Sequence, residues 1–292
     1  MTPPPQVLPQ LQPRSADGHK GTYGRVLVVA GSRGFSGAAV LTGMAALKCG
    51  AGLVAVACPE TIQDTVAAGF PCYTTIGLPA NEQGQLSNRT ADALASIVPK
   101  WDIIAIGPGL STSDGVALTV RSLLKQFDKP MVIDADGLNV LTPLDETLAN
   151  RNAPTVLTPH PGEFARLTGS PTPISPGGRM CAAKQFATIH RCVLLLKGHR
   201  TVISDGVNTT VNATGNPGMA TGGSGDVLTG VIAALMGQGL SAFDAAVLAA
   251  HVHGLAGDLA AKALGEVSLT AVDILAHLPA AIRSMSAASA VS

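Results

Sequence analysis

The sequence predicts an α/β fold: a largely parallel central sheet with helices on both faces, a three-layer αβα arrangement. Three observations predict it. From Arg25 onward, strand-sized apolar runs alternate with helix-sized segments, the order that builds parallel sheets from crossover units. The runs are apolar throughout, as in RVLVVA at 25–30 and LVAVAC at 53–58, which marks strands covered on both faces. Glycine- or proline-bearing turns follow the strands, at Gly31–Gly37, Gly107–Gly109 and Pro159–Glu163.

Taken in order, RVLVVA ends in the turn Gly31–Gly37, and a helix runs from Ala38 to Lys48 until Gly50 stops it. LVAVAC is the second strand, and Pro59 begins a short helix; residues 70–87 show no regular pattern. Helix 88–98 leads into strand DIIAIG at 102–107, helix 115–127 into strand MVID at 131–134, and Asp134–Asn139 opens another turn and helix. Strand TVLT at 155–158 runs into Pro159-His160-Pro161-Gly162-Glu163, with a helical turn through Leu167. Helix 177–190 precedes strand VLLLK at 193–197, and after Gly198-His199-Arg200 the segment TVISD at 201–205 reads as a hairpin appended to the sheet. A glycine loop at 216–226 feeds helix 227–236, stopped by Gly237–Gly239. Ser241-x-x-Asp244 is a capping box for helix 242–263, and Thr270-x-x-Asp273 opens a last helix. Residues 1–17 read as a flexible Pro-rich leader, 18–283 as one domain without repeat or linker, and 284–292 as a frayed tail.

Lys plus Arg equals Asp plus Glu at 19 each, so no global basic field draws nucleic acid or an anionic membrane. The opening MTPPPQVLPQLQPR lacks the basic-then-apolar order of a secretory signal. The Ala-rich stretch 242–264 is interrupted by His251, His253, Asp258 and Lys262, and so suits a buried helix better than a membrane span. Five cysteines, odd in number and without a CxxC pair, read as free thiols of a reducing cytoplasm.

In doubly wound sheets, ligands bind at the carboxyl ends of the strands. The turns after the strands should therefore converge with the loop Asn216–Asp226, in which Gly218, Gly222, Gly223 and Gly225 free the backbone to wrap a ligand. The amides of Gly223 to Val227 would open the helix and attract an anion. Asp226 in that place either caps the helix or faces a reacting hydroxyl as its base. Gly31-x-x-Gly34-x-x-Gly37 is not a dinucleotide fingerprint, because Cys58 and Pro59 stand where the second strand should end in an acid. No Gly-Lys-Ser/Thr makes a P-loop. Lys197 is either a phosphate-holding cation or a surface one. His160, held between two prolines, is either aimed into the cleft or bonded to its own backbone; Glu163 can cap the turn that follows. Asp134 and Asp136 either hold Mg2+ through water or cap a helix at Gly137. His251 and His253, spaced i,i+2, point to different sides of their helix, which disfavours a metal pair and leaves core packing or an interface contact; Trp101, before a strand, reads as packing.

Together, GTYGRVLVVAGS, GFSGAAVLTGMAALKCGAGLV, the Gly107–Gly109 turn, DADGLN, LTPHPGEFARL, LKGHRTVISDG and GNPGMATGGSGDVLTG resemble the ADP/ATP-dependent NAD(P)H-hydrate dehydratases. That family belongs to the ribokinase-like superfamily, and the resemblance covers about residues 18–280. It implies repair of NADH or NADPH hydrated on the nicotinamide ring, driven by ADP or ATP with Mg2+. It implies that Ala38, Ala39, Gly109, His160 and Asp226 line the hydrated-dinucleotide site. It implies further that Lys197, Gly198, His199, Arg200, Thr201 and Gly225 hold the nucleotide, and that the amides of Gly222, Gly223, Ser224 and Gly225 form the anion hole. Asp226 would be the catalytic base, with no metal ligand assigned. The ring hydroxyl would be phosphorylated and phosphate then lost, leaving AMP when ADP is the donor. Many relatives carry an epimerase domain, whereas a short leader precedes Gly18 here. The expectation is a standalone dehydratase for the S form that relies on a separate epimerase, homotetrameric and cytoplasmic. The rivals are a small-molecule kinase of the same superfamily, acting on a vitamin precursor, and a non-catalytic nucleotide or NAD sensor.

Overall fold

The computed structural model describes residues 8–289. Residues 1–7 of the expected leader and 290–292 of the expected tail lie outside the described residues.

The strands are β1 (Arg25–Val29), β2 (Leu53–Pro59), β3 (Thr74–Leu78), β4 (Ile103–Ile106), β5 (Met131–Ile133), β6 (Thr155–Leu157), β7 (Val193–Leu196), β8 (Val202–Ser204) and β9 (Thr209–Val211). Among the described residues they form one sheet in the order β3-β2-β1-β4-β5-β6-β7-β8-β9. Pairing is parallel from β3 to β7 and antiparallel from β7 through β8 to β9. The helices are α1 (Ser36–Lys48), α2 (Gln63–Gly69), α3 (Thr90–Ala95), α4 (Asp114–Gln126), α5 (Asp136–Asn139), α6 (Pro161–Thr168), α7 (Pro176–His190), α8 (Ser224–Gly237), α9 (Ala242–Leu264) and α10 (Ala271–Ser289).

Alternation along β1 divides the interior in two. Val26 and Val28 face a core shared with α1, α8, α9 and α10, whereas Leu27 and Val29 face one shared with α4 and α7. This explains the unbroken apolar runs, since both faces of the strands are buried. Every residue of α8 from Val227 to Met236 is buried. Each fully buried Val, Leu or Ile contributes about 1.5–3 kcal/mol, so this helix is firmly anchored, and with it the loop at its N-terminus. α1 packs close against it because Gly230 has no side chain. A Cβ there would lie 2.2 Å from the Thr42 carbonyl oxygen.

Several elements depart from expectation. β3 lies within 70–87, where no pattern showed; TTIGL is a half-exposed edge strand and needs no apolar run. β9 is likewise short and half-buried. The helix expected at 88–98 is α3 followed by a 3-10 turn, Val98–Lys100. Half of the expected Ser241-x-x-Asp244 box is formed, the Asp244 amide donating to Ser241 Oγ at 3.1 Å, and at the start of the last helix the Thr270 amide donates to Asp273 Oδ2 at 2.9 Å. Of the expected leader, Leu8 and Leu11 pack against the helical core. Arg14 donates to the Gly50 carbonyl at 2.6 Å and lies over the Tyr23 ring. The expected tail begins inside α10, which continues to Ser289. No helix among the described residues is long and apolar enough to cross a membrane.

Candidate active site

The strand ends after β1, β4, β5, β6 and β7 bring their turns to one rim. Gly107, after β4, crosses the turn after β5 at very short range. It has φ +127°, and a Cβ there would lie 1.8 Å from the Asp134 carbonyl oxygen. Gly107→Ala is therefore expected to unfold at a markedly lower temperature, losing more than about 2–3 kcal/mol from strain and collision; an unchanged thermal midpoint would show that this crossing is not tight. Gly109 bonds back toward β1, its carbonyl accepting from Ser32 Oγ at 2.8 Å, and a Cβ on it would lie 2.9 Å from that of Ala38. Ala38 and Gly109 thus meet on the rim. Ala39 does not project there: its side chain is buried, and a Cβ on Gly31 would lie 3.0 Å from it.

Lys197, at the end of β7, settles its two readings in favour of the interior. Its Nζ lies 2.7 Å from Asp134 Oδ1 and 3.8 Å from Glu163 Oε2, with the side chain 20% exposed. Asp134 is almost wholly buried, and its Oδ2 accepts from Thr229 of α8 at 2.8 Å. Burial alone would lower the ammonium's pKa, but Asp134, Glu163 and Asp226 outweigh it and the net shift is upward. A Cβ on Gly225 would lie 3.3 Å from this ammonium, which places the cation over the first turn of α8.

These bonds bear on the metal alternative. Asp134 is committed to Lys197 and Thr229, and Asp136 accepts from the Ser111 amide at 2.7 Å and from Asn139 Nδ2 at 3.2 Å. No group of three or more His, Cys, Asp or Glu among the described residues is arranged to hold a metal ion.

Asp226 sits in the first turn of α8 and makes no side-chain hydrogen bond among the described residues. The cap position belongs to Gly223, at φ +87°, and no side chain caps the helix, so the capping role for Asp226 is excluded. Burial raises its pKa to about 6; repulsion from Asp134 adds to this, and Lys197 offsets it only in part. Around it the amides of Gly222, Gly223, Gly225 and Asp226 have no partner among the described residues. The Ser224 amide turns toward the Thr221 carbonyl at 3.4 Å, so of the four expected anion-hole donors it is the one withdrawn.

His160 is the N-cap of α6. Its Nδ1 accepts from the amides of Gly162 and Glu163 at 3.0 and 3.3 Å, and Glu163 Oε2 accepts from the His160 amide at 2.7 Å. Nδ1 as acceptor leaves the proton on Nε2, which lies 3.4 Å from Glu163 Oε1. The half-exposed ring is thus held in a fixed orientation at the rim. In the turn after β7, the Lys197 amide is tied to the Pro159 carbonyl at 2.8 Å. The amides of Gly198, His199, Arg200 and Thr201 have no partner among the described residues, and Arg200 adopts φ +56°.

One neighbour of this site is not apparent from sequence. His253 of α9 places Nε2 3.0 Å from the Ser224 carbonyl, and burial lowers its pKa to about 4, so the neutral ring donates to the start of α8. Other residues of α9 bind the approach to the loop: Asp258 accepts from the Gly215 amide at 3.0 Å and from Asn216 Nδ2 at 2.9 Å. A Cβ on Gly257 would lie 2.2 Å from Met219 Sδ. The usable sequence signal was the pair Gly254 and Gly257 on the histidine-bearing helix, a notch for close backbone approach.

The sequence pattern of the NAD(P)H-hydrate dehydratase family matches residues 26–280. The chain is 47% identical over 278 residues to the bifunctional NAD(P)H-hydrate repair enzyme Nnr of Moorella thermoacetica, covering 94% of this chain and 52% of that protein. The chain thus spans about half the length of such curated relatives. It is 40% identical over 259 residues to the ADP-dependent (S)-NAD(P)H-hydrate dehydratase of Neisseria meningitidis, covering 86% of this chain and 82% of that one. Its structure matches that of the ADP/ATP-dependent NAD(P)H-hydrate dehydratase of Bacillus subtilis co-crystallised with ATP/Mg2+, with TM-score 0.79, 31% identity and 94% of each chain covered. The fold is ribokinase-like. With 255 of its residues, 26 through 280, inside the family pattern, the chain belongs to the NAD(P)H-hydrate dehydratase family.

Proposed function

We propose that the chain dehydrates the S form of hydrated NADH and NADPH back to NAD(P)H, using ADP or ATP, as a metabolite-repair hydro-lyase. One observation carries this reading: a carboxylate without a hydrogen-bond partner among the described residues, its pKa raised to about 6, shares the first turn of α8 with unpartnered amides, and the Lys197 ammonium lies over that turn. A carboxylate of that basicity accepts a proton at neutral pH. The amides and ammonium favour the charge that develops on a phosphoryl group in transfer.

Asp226 takes the proton of the ring hydroxyl as its oxygen attacks the terminal phosphorus of the nucleotide, breaking the bridging P–O bond; ADP leaves as AMP. The Gly222, Gly223 and Gly225 amides and Lys197 face the phosphoryl oxygens. The ring nitrogen lone pair then expels phosphate, a far better leaving group than hydroxide, and the resulting iminium loses a proton from the adjacent ring carbon to water or the departing phosphate, which restores the dihydropyridine. Ala38, the Ala39 backbone, Gly109 and the fixed His160 ring line the hydrated-dinucleotide side. The free amides from Gly198 to Thr201, with His199 and Arg200, receive the nucleotide.

The site fits a Mg2+ carried in on the nucleotide rather than a resident one. Mg2+ typically keeps several waters and uses phosphate oxygens with few carboxylates, so the nucleotide's phosphates and water would hold it while Asp226 stays free as the base. There the ion would neutralise phosphate charge. An epimerase that converts the R form is the functional partner. The assembly is a homo-oligomer, a tetramer by family resemblance, and the free thiols of Cys49, Cys58, Cys72, Cys181 and Cys192 suit the cytoplasm.

Purified protein given the S hydrate with Mg2+ and either ADP or ATP is expected to regain the near-ultraviolet absorbance of NAD(P)H and to release phosphate. Without nucleotide it should do neither; nucleotide-independent turnover would remove the proposed mechanism. A stable phosphate ester formed on an alcohol would point to the kinase instead, and binding without turnover to the sensor.

A further inference from the structure

The unpartnered amides after β7 have an identifiable cause on a neighbouring helix. Arg179, in the first turns of α7, reaches under the loop that follows β7. Its Nη1 donates to the His199 carbonyl at 3.0 Å, and its Nη2 donates to the carbonyls of Leu196 and Lys197, each at 3.0 Å. The Gly198 carbonyl is taken by Thr201 Oγ1 at 3.0 Å. Four consecutive carbonyls are thus held by side chains, three by Arg179 and one by Thr201. In a planar trans peptide, the C=O of one residue and the N–H of the next point in opposite directions. Fixing the carbonyls of Lys197 and His199 therefore turns the amides of Gly198 and Arg200 away from Arg179, and Thr201 fixes the peptide between them, leaving successive free donors of the kind that receives anions.

Two details show that the guanidinium is placed for the loop. Its Nε is buried and has no partner among the described residues, while its two terminal nitrogens reach three carbonyls. Gly198, at φ +141°, lies so close that a Cβ would sit 3.1 Å from Nη2 and 3.2 Å from Nη1. The glycine in the Lys197-Gly198-His199-Arg200 turn is thus favoured by its own backbone angle, and the arginine beneath it leaves little room for a side chain.

We propose that Arg179 is the positioning residue of the nucleotide loop, orienting the amides of Gly198 and Arg200 toward the phosphates of a nucleoside diphosphate or triphosphate without touching it. The proposal rests on reading this rim as the nucleotide side of the site.

The test compares the full chain with Arg179→Met and Arg179→Lys. The KM for ADP should rise about ten- to a hundredfold in Arg179→Met, the size expected for losing hydrogen bonds to a charged group. The KM for the hydrate should stay within about threefold, and kcat at saturating ADP should change far less than the KM for ADP. Arg179→Lys, with a single compact ammonium in place of a planar fork, should recover only part of the loss, and it also serves if the methionine variant does not fold. An unchanged KM for ADP, or equal rises for ADP and hydrate, would overturn the proposal. Hydrogen exchange without nucleotide judges the clamp by itself. The Lys197 and Asn212 amides, which bond the Pro159 and Thr201 carbonyls at 2.8 Å each, should exchange faster in Arg179→Met while α9 keeps its protection, and unchanged exchange would count against the clamp. Absence of turnover in the unaltered protein would instead refute the functional reading, with the exchange result still deciding the role of Arg179.

Discussion

Asp226→Asn is expected to lower kcat by about a hundred- to ten-thousandfold, the range for removing a positioned general base, while ADP affinity remains within a few fold. The same substitution should stabilise the fold. Burial and Asp134 raise the Asp226 pKa from 3.8 to about 6, so between these values the folded protein binds more protons than the unfolded chain. The charged form is thus disfavoured by folding, and stability falls as pH rises through that window and stays lower above it. The cost near neutrality is on the order of 3 kcal/mol, from about 1.4 kcal/mol per pKa unit. Asparagine carries no charge to bury, so the variant should melt several degrees higher near pH 7 and lose that advantage below about pH 4. In the unaltered enzyme, kcat/KM should fall about tenfold per pH unit below about 6, as the base becomes protonated. Thermal melts across pH beside a pH–rate profile check both halves. Retained turnover in the variant would move the base elsewhere, and equal melting temperatures at neutral pH would show that the carboxylate is well solvated.

Lys197→Met is expected to destabilise the fold by about 3–5 kcal/mol and to abolish activity. The reason lies less in the ion pair than in what its removal leaves: Asp134, 1% exposed, would be a buried charge with only Thr229 to accept from, and such orphaned charges are costly. Neutralising it as well should reverse most of the loss. The double variant Lys197→Met with Asp134→Asn is expected to melt near the unaltered protein yet remain inactive, because the ammonium over Gly225 is still missing. Urea titrations of the two single variants and the double variant form the required cycle. Additive losses would indicate that the two side chains are not coupled, despite their 2.7 Å contact.

These effects concern residues whose identity was readable and whose state was not. The apolar runs, the glycine turns and the rule that parallel strands present their ligands at one end were enough to bring His160, Lys197, Gly225 and Asp226 to a common rim. They also placed the helix at 227–236 close to α8 as found, because periodicity and turn chemistry are local properties. β3 escaped because an edge strand buries too little to impose a pattern on TTIGL. Asp226 allowed two readings until the helix start showed Gly223 in the cap position, and Lys197 stayed open between a phosphate-holding and a surface cation for want of any local sign of burial.

What the sequence by itself determined was therefore the order of the layers, the rim and the residue types gathered on it. The tertiary structure decided their charge and direction. Lys197 and Asp134 are 63 residues apart, Thr229 and Asp134 95, His253 and Ser224 29, and Arg179 and His199 20. Burial, proton affinity and the orientation of a peptide plane depend on such distant neighbours, whereas the pattern along a chain reports only on the few residues either side.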